Sequence, residues 1–262
     1  MQTEYKDRPD EALEGMLYDA SGSAKDNQTL IASLTIPYGR AVAGISGNDK
    51  GAKLPDASNA DIRGVSVLLH NNVNGQYVEG DALAPYIKCG VWVRVEEAVT
   101  PASPVYIRYN GKKQVQTLVA DANFVTGNTI TGNVVRTADG ASITTAISVP
   151  FNTDNATTLS DLADAIALAS GVNSAADSGG DTVTVTSDQD VDIALEDFAV
   201  AGGASQAEFE VTETTVGIPL SDRGKFRASA DSSTALQVTS GMRYASMAAA
   251  GEMARLVVNL PS

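Results

Sequence analysis

Cysteine, histidine and tryptophan each occur once in this 262-residue chain. A lone cysteine, Cys89, excludes an intrachain disulfide framework. It sits within an alternating apolar run, where a buried and inert thiol is expected, because a reactive thiolate needs a basic partner. The lone histidine, His70, follows a strand-like run beside Asn71 and Asn72 and reads as a strand-end or loop residue. One imidazole without a cysteine or a second histidine makes no usual transition-metal site. Aromatic residues are only 5% of the chain, so aliphatic side chains and alanine must fill the core. Long apolar runs are missing too. No stretch approaches the roughly 18 apolar residues of a membrane span, and Met1–Glu14 is polar and charged, so no membrane partner is expected. Basic residues are outnumbered by acidic ones, 18 to 32, giving a net charge of -14. A surface of that sign repels phosphate, so no nucleic-acid partner is expected.

Catalytic signatures are also wanting. There is no Gly-x-Ser-x-Gly elbow, phosphate loop or histidine-centred constellation. The carboxylate pairs Glu96-Glu97 and Glu208-Phe209-Glu210 could in principle serve acid–base work. Neighbouring strand residues face opposite sides, however, so Glu96 and Glu97 are read as solvated charge. Asp188-Gln189-Asp190-Val191-Asp192 alternates hard oxygen donors but lacks the glycine and distal glutamate of a calcium loop, and reads as a polar hairpin tip. No enzyme activity, no catalytic, cofactor-binding or metal residue and no cofactor is assigned.

What the chain has in quantity is short alternating runs. Ile36–Val42, Ile62–Val67, Tyr77–Leu83, Gly90–Val95 and Pro104–Tyr109 each alternate apolar and polar residues, with glycine, proline or acids at most joints. Such runs predict consecutive strands with a core on one side. In Val91–Val95 the valines share one face, and Trp92 and Arg94 the other. Gln28–Ile36 reads as a further strand, Gly44–Asn59 as a loop, and Asn74-Gly75, Gly80-Asp81 and Asn110-Gly111 as turns. Residues 1–14 read as an arm that can bury little by itself, with Met16-Leu17-Tyr18 as the first anchor.

After Asn110 the character changes. From about Leu118 to Asp222 the only basic residue is Arg136, and Thr, Ala, Asp and Ser dominate. Thr129–Arg136 and Ser142–Val149 read as strands paired around an Asp139-Gly140 turn. Thr158-Leu159-Ser160-Asp161 resembles a capping box, and Leu159, Leu162, Ala163 and Ile166 follow at helical spacing, with Gly171 as a stop. Thr182–Thr186, Val191–Ala199 and Phe209–Thr215 add three strands. Met242–Met247 and Met253–Leu260 are read as closing strands that rejoin the first part. The expected fold is therefore mainly β: a discontinuous small β-barrel or sandwich host, 15–117 plus 223–262, an arm at 1–14, and an inserted α+β domain of order ββαβββ at 118–222.

The host segments resemble the head structural cement, or decoration, proteins of tailed phages. The resemblance rests on Ile36–Val42, Lys53-Leu54-Pro55, Arg63–Val67, Glu79–Leu83, Gly90–Val93, Pro104–Arg108, Gly224–Ala228, Gly241–Tyr244 and Ala249–Ala254, taken in order. It implies a structural subunit on the outer capsid surface of a virion, assembled in the host cytoplasm. Its partners would be the major capsid protein and further copies of itself, a trimer in preference to a dimer. Contacts are expected from the polar strand faces through Arg63, Trp92, Arg94 and Arg108, because tryptophan and arginine most often anchor interfaces. Adhesion to a host surface or glycan is the alternative. The insert lacks Trp and Tyr, however, and its Phe124, Phe151, Phe198 and Phe209 are read as core rather than as stacking platforms.

Overall fold

The computed structural model describes residues 12–26, 28–68, 75–138, 141–204 and 207–261. Residues 1–11 of the arm, His70, Asn74 and the Asp139-Gly140 turn lie outside the described residues. The fold is mainly β. Two compact units are present, Met1–Asn110 with Asp222–Ser262, and Gly111–Ser221. The first unit contains β1 (Leu17–Lys25), β2 (Leu30–Ala32), β3 (Ile36–Pro37), β4 (Ala41–Ile45), β5 (Asn48–Lys53), β6 (Ile62–Val65), β7 (Gln76–Tyr77), β8 (Ala82–Leu83), β9 (Tyr86–Arg94) and β10 (Val105–Arg108). The second contains β11 (Val115–Ala120), β12 (Thr129–Ala138), β13 (Ala141–Pro150), α1 (Asn155–Ala167), β14 (Val172–Asp177), β15 (Thr182–Ser187), β16 (Asp192–Ala201) and β17 (Phe209–Thr215). The chain then returns to the first unit with β18 (Phe226–Arg227), β19 (Ala235–Val238), β20 (Met242–Tyr244) and β21 (Met253–Asn259).

β9 is the spine of the first unit. Its alternation buries Ile87, Cys89, Val91 and Val93 and turns Lys88, Trp92 and Arg94 outward. β21 pairs along one edge, from Met253 opposite Arg94 to Asn259 opposite Lys88, and β1 pairs along the other. The large sheet runs β20-β21-β9-β6-β4-β5-β2-β8. A small sheet has β10 at its centre, with β18 and β19 as its flanks. Val91, Val93 and Leu256 of the large sheet share one core cluster with Val105, Ile107 and Phe226 of the small one. The large sheet ends at β20 and β8 without closing, so the host is a sandwich and not a barrel.

Several local expectations change. Gly44–Asn59 is not a loop: it holds the end of β4 and all of β5, which pair with each other. Asn48, Asp49 and Lys50 are exposed, so the pairing is carried by backbone and leaves no apolar alternation to read. The Ile36–Val42 run breaks at Gly39, whose φ is +70° and where a Cβ would lie 2.4 Å from the Glu14 side chain. Gln28–Ile36 likewise divides between β2 and β3.

In the second unit, β14-β15-β11-β17 form one sheet and β13-β12-β16 another. β11 and β14 were not expected. β11 straddles residue 118, so residues 115–117 belong with it and not with the host. β14 exposes Asn173, Ser174, Ala176 and Asp177, so it has no buried alternation to signal a strand. The helix begins earlier than Thr158-Leu159-Ser160-Asp161 suggested. Its N-cap is Asp154, whose carboxylate accepts from the Thr157 amide at 2.8 Å, whereas Thr158 is buried in the first turn. Leu159, Leu162, Ala163 and Ile166 face a core shared with Leu118, Ile130, Ile147, Val183 and Val185. Two amides pin β16 from β11 and the residue before it. Gln116 exchanges hydrogen bonds with Ile193 and Leu195 backbone, and Gln114 accepts from the Ile193 amide.

The two ends of the interrupted first unit meet. The Gly224 amide donates to the Arg108 carbonyl at 2.8 Å, and the Arg108 amide to Lys225 at 2.9 Å. We propose that residues 111–221 fold as an independent insertion. Replacing them with a short Gly-Ser linker, for which loop-closure entropy is small, is expected to preserve a cooperative calorimetric transition of the host, and its absence would refute independence. Leu162→Ala is expected to cost about 2–5 kcal/mol, from lost transfer energy and a cavity. Urea denaturation of the full chain checks this, and an unchanged midpoint would show that the helix is not packed through Leu162.

Candidate functional site

Two arginine-rich constellations lie in the first unit, one inside and one outside. The inner one begins where β9 ends. Glu96 and Glu97 occupy a bend and not a strand. Both carboxylates therefore reach Arg227, at 2.9 Å from Glu96 and 3.3 Å from Glu97. The reading of these two acids as solvated and divergent is thus corrected. Arg108 is 0% exposed. Its Nε donates to both Glu96 oxygens at 2.6 and 2.8 Å, its Nη2 to Asp231 at 2.6 Å, and its Nη1 to Thr234 Oγ1 at 2.9 Å. Arg227 Nη1 also donates to Asp231 at 2.8 Å. Burial opposes the Arg108 charge, but the hydrogen bonds to Glu96 and Asp231 outweigh it and raise the guanidinium above its ordinary value. Arg108 is therefore a structural residue. Its side chain is withdrawn from the outer face, because its three carboxylate and hydroxyl partners all lie inside.

The outer constellation is the exposed face of β1, β9, β21 and β20. Trp92 is half-buried, and its ring meets Tyr18 edge-on with centroids 6.0 Å apart. The Arg255 guanidinium lies over both rings, 5.6 Å from Tyr18 and 6.0 Å from Trp92. Such stacking holds a long cation in a defined place without a carboxylate partner. Gly90 makes room for this arrangement, since a Cβ there would lie 2.6 Å from the Tyr18 ring. Lys88 and Arg243 are exposed on the same face. Among the described residues, Lys88, Arg243 and Arg255 form no ion pair. A groove of about 490 Å³ runs between Lys88 and Arg243, lined also by Tyr18, Asp19, Gly90 and Val257.

Of the four residues expected at contacts, Trp92 and Arg94 share this face. Arg94 is half exposed, donates to the Gly251 carbonyl and lies 3.9 Å from Glu14. Burial pushes the Glu14 carboxyl above its ordinary value, although Arg40 and Arg94 oppose the shift. Glu14 and Gly15 are thus fixed parts of the host and not a free arm, since the Gly15 amide donates to the Trp92 carbonyl at 2.8 Å. Arg63 stands on β6, where Asp26 at 2.8 Å and Asp61 at 3.8 Å engage its charge, and it lines a different groove. Tyr18, Arg243 and Arg255 were missed. The alternation of Met253, Arg255, Val257 and Asn259 in β21 was the available signal.

Other candidates are placed plainly. Cys89 is buried, and burial pushes its thiol up to about 12, so it is protonated and unreactive at neutral pH. Asp190 accepts from the Leu220 amide at 2.6 Å, which uses it in a turn. Phe124 is buried, and Phe151, Phe198 and Phe209 pack against the same core. Glu210 is exposed on β17, an edge strand, and Glu208 is exposed just before it, where it bridges to Ala199. The acidity is uneven: residues 111–221 hold 15 acidic and 3 basic residues, net -12, which leaves the host at -2.

Fold and site together define a mainly β, sandwich-like protein whose first unit carries an aromatic–arginine face. The family described as structural cement protein (E217 gp24/Pam3 gp6) matches residues 1–152, more than half of the chain. The chain belongs to this family of phage structural cement proteins. The match includes β1 through β13 and so enters the second unit. No curated protein matches the chain in sequence.

Arg108→Ala is expected to cost about 3–5 kcal/mol, because it leaves the nearly buried carboxylates Glu96 and Asp231 to share Arg227 as their one remaining cation. Arg94→Ala, at an exposed and long ion pair, is expected to cost under about 1 kcal/mol. Urea denaturation of both variants checks the contrast, and equal losses would show that the inner network carries no special weight.

Proposed function

We propose that this protein binds the outer surface of an assembled phage capsid and stabilises the shell against internal DNA pressure. The observation that carries the reading is membership of the structural cement family. The physical route is mass action: a ligand that binds the assembled shell and not its separated subunits lowers the free energy of the shell. Contacts repeated by symmetry add up without any one being tight. The net charge of -14 supports the outer side, because an acidic protein is repelled by packaged DNA. The major capsid protein is the partner on this reading. The protein would act as a homo-oligomer, a trimer in preference to a dimer, with Trp92 and Arg94 on a contact face and the acidic insert displayed.

Particles lacking this protein are expected to release DNA at a lower temperature than complete particles, and adding back the purified chain is expected to restore the difference. A dye-release melt checks both. Equal melts, or a cryo-electron map that places the protein inside the shell or in the tail, would overturn the reading.

A further inference from the structure

We infer that the outward face of β9, β20 and β21 docks a second copy of this chain, and that the second copy meets it with the acidic edge strand β17 of its insert. This rests on the homo-oligomer reading above and not on shell binding. The face carries the residue types that anchor protein interfaces, with Trp92 and Tyr18 under Arg255. Its cations Lys88, Arg243 and Arg255 have no ion pair among the described residues, and Asp19 is the acid on the groove rim. Three such cations concentrated on one sheet face of a protein with net charge -14 call for an acidic partner.

The insert of a second copy supplies one, at net -12. Within it, β17 pairs with β11 along one edge and is exposed from Glu210 through Thr214. Glu208, Glu210 and Thr212 alternate onto one side, away from Phe209, which packs on the core, until the pairing with β11 slips at Thr214. The spacings match. Arg243 stands opposite Val257, and Arg255 is two residues further along β21, a diagonal separation of roughly 7–8 Å. Glu208 and Glu210 are two residues apart on an extended chain, roughly 6.5–7 Å. Both Arg–Glu pairs can therefore form together, with Trp92 and Tyr18 excluding water beside them. A contact between unlike surfaces is heterologous, and where its rotation closes it gives a ring such as a trimer.

Light scattering on the purified full chain tests this. The wild type is expected to be an oligomer whose mass falls toward the single-chain 27.1 kDa as salt is raised to about 0.5 M, where screening shortens to a few ångströms. R243E/R255E and E208K/E210K are each expected to be monomeric at low salt, with thermal melts within a few degrees of the parent because all four side chains are exposed. The quadruple variant, with both charges exchanged, is expected to assemble again. A monomeric wild type, an oligomeric double variant or a monomeric quadruple variant would each overturn the inference. So would an R243E/R255E oligomer that has lost only its binding to shells purified without this protein, since the face would then belong to the capsid. Failure of the wild type to bind such shells, with assembly intact, would instead sink the capsid reading and leave this one standing.

Discussion

The inner arginine network is the constraint on which the host unit depends. Arg108 lies on β10, Arg227 on β18, Glu96 in the bend after β9, and Asp231 between β18 and β19. Two of these groups come from before the second unit in the chain and two from after it. Each is buried or nearly so, and each would be costly alone. Together they satisfy one another, so the two parts of the interrupted chain are required to meet. Tyr244 adds to the same knot by donating its buried hydroxyl to the Arg227 carbonyl at 2.9 Å.

The apolar packing depends on the same meeting. β10 acquires both its neighbours from the returning segment, and β9 acquires β21 from it. Phe226 and Leu256 then complete a core with Val91, Val93 and Ile107. The second unit has a separate core built on α1, β11 and β15. The division of labour extends to charge. The host is near neutral, while the insert carries almost all of the net negative charge. The near-neutral surface of the first unit and the acidic surface of the second can therefore vary without disturbing each other's core.

On the outer face the same alternation that builds the core builds a site. Every second residue of β9 and β21 is apolar and buried, and the residues between them are free to be chosen for contact. Tyr18 lies over Gly90, so the large sheet presents edge-packed rings and arginines in place of a solvated polar surface. Rings and guanidinium groups held this way lose little conformational freedom on binding, which is why such residues dominate interface energetics.

The sequence by itself determined the strand alternation of Gly90–Val95 and Pro104–Tyr109, the change of composition after Asn110, the helix marked by Leu159, Leu162 and Ile166, and the inert placement of Cys89. These follow from local periodicity and residue type, which short stretches carry in full. Tertiary structure alone decided the rest. Arg108 reads as an outward strand residue until Glu96 and Asp231 are seen to enclose it. The β4–β5 pair is invisible because exposed, backbone-driven pairing leaves no apolar pattern. Tyr18, Trp92, Arg243 and Arg255 stand far apart in the chain, and only the register that sets β1 and β21 on opposite edges of β9, with β20 beside β21, brings them together. Side-chain partners from distant segments are chosen by strand pairing and burial, and no local window of sequence contains both members of such a pair.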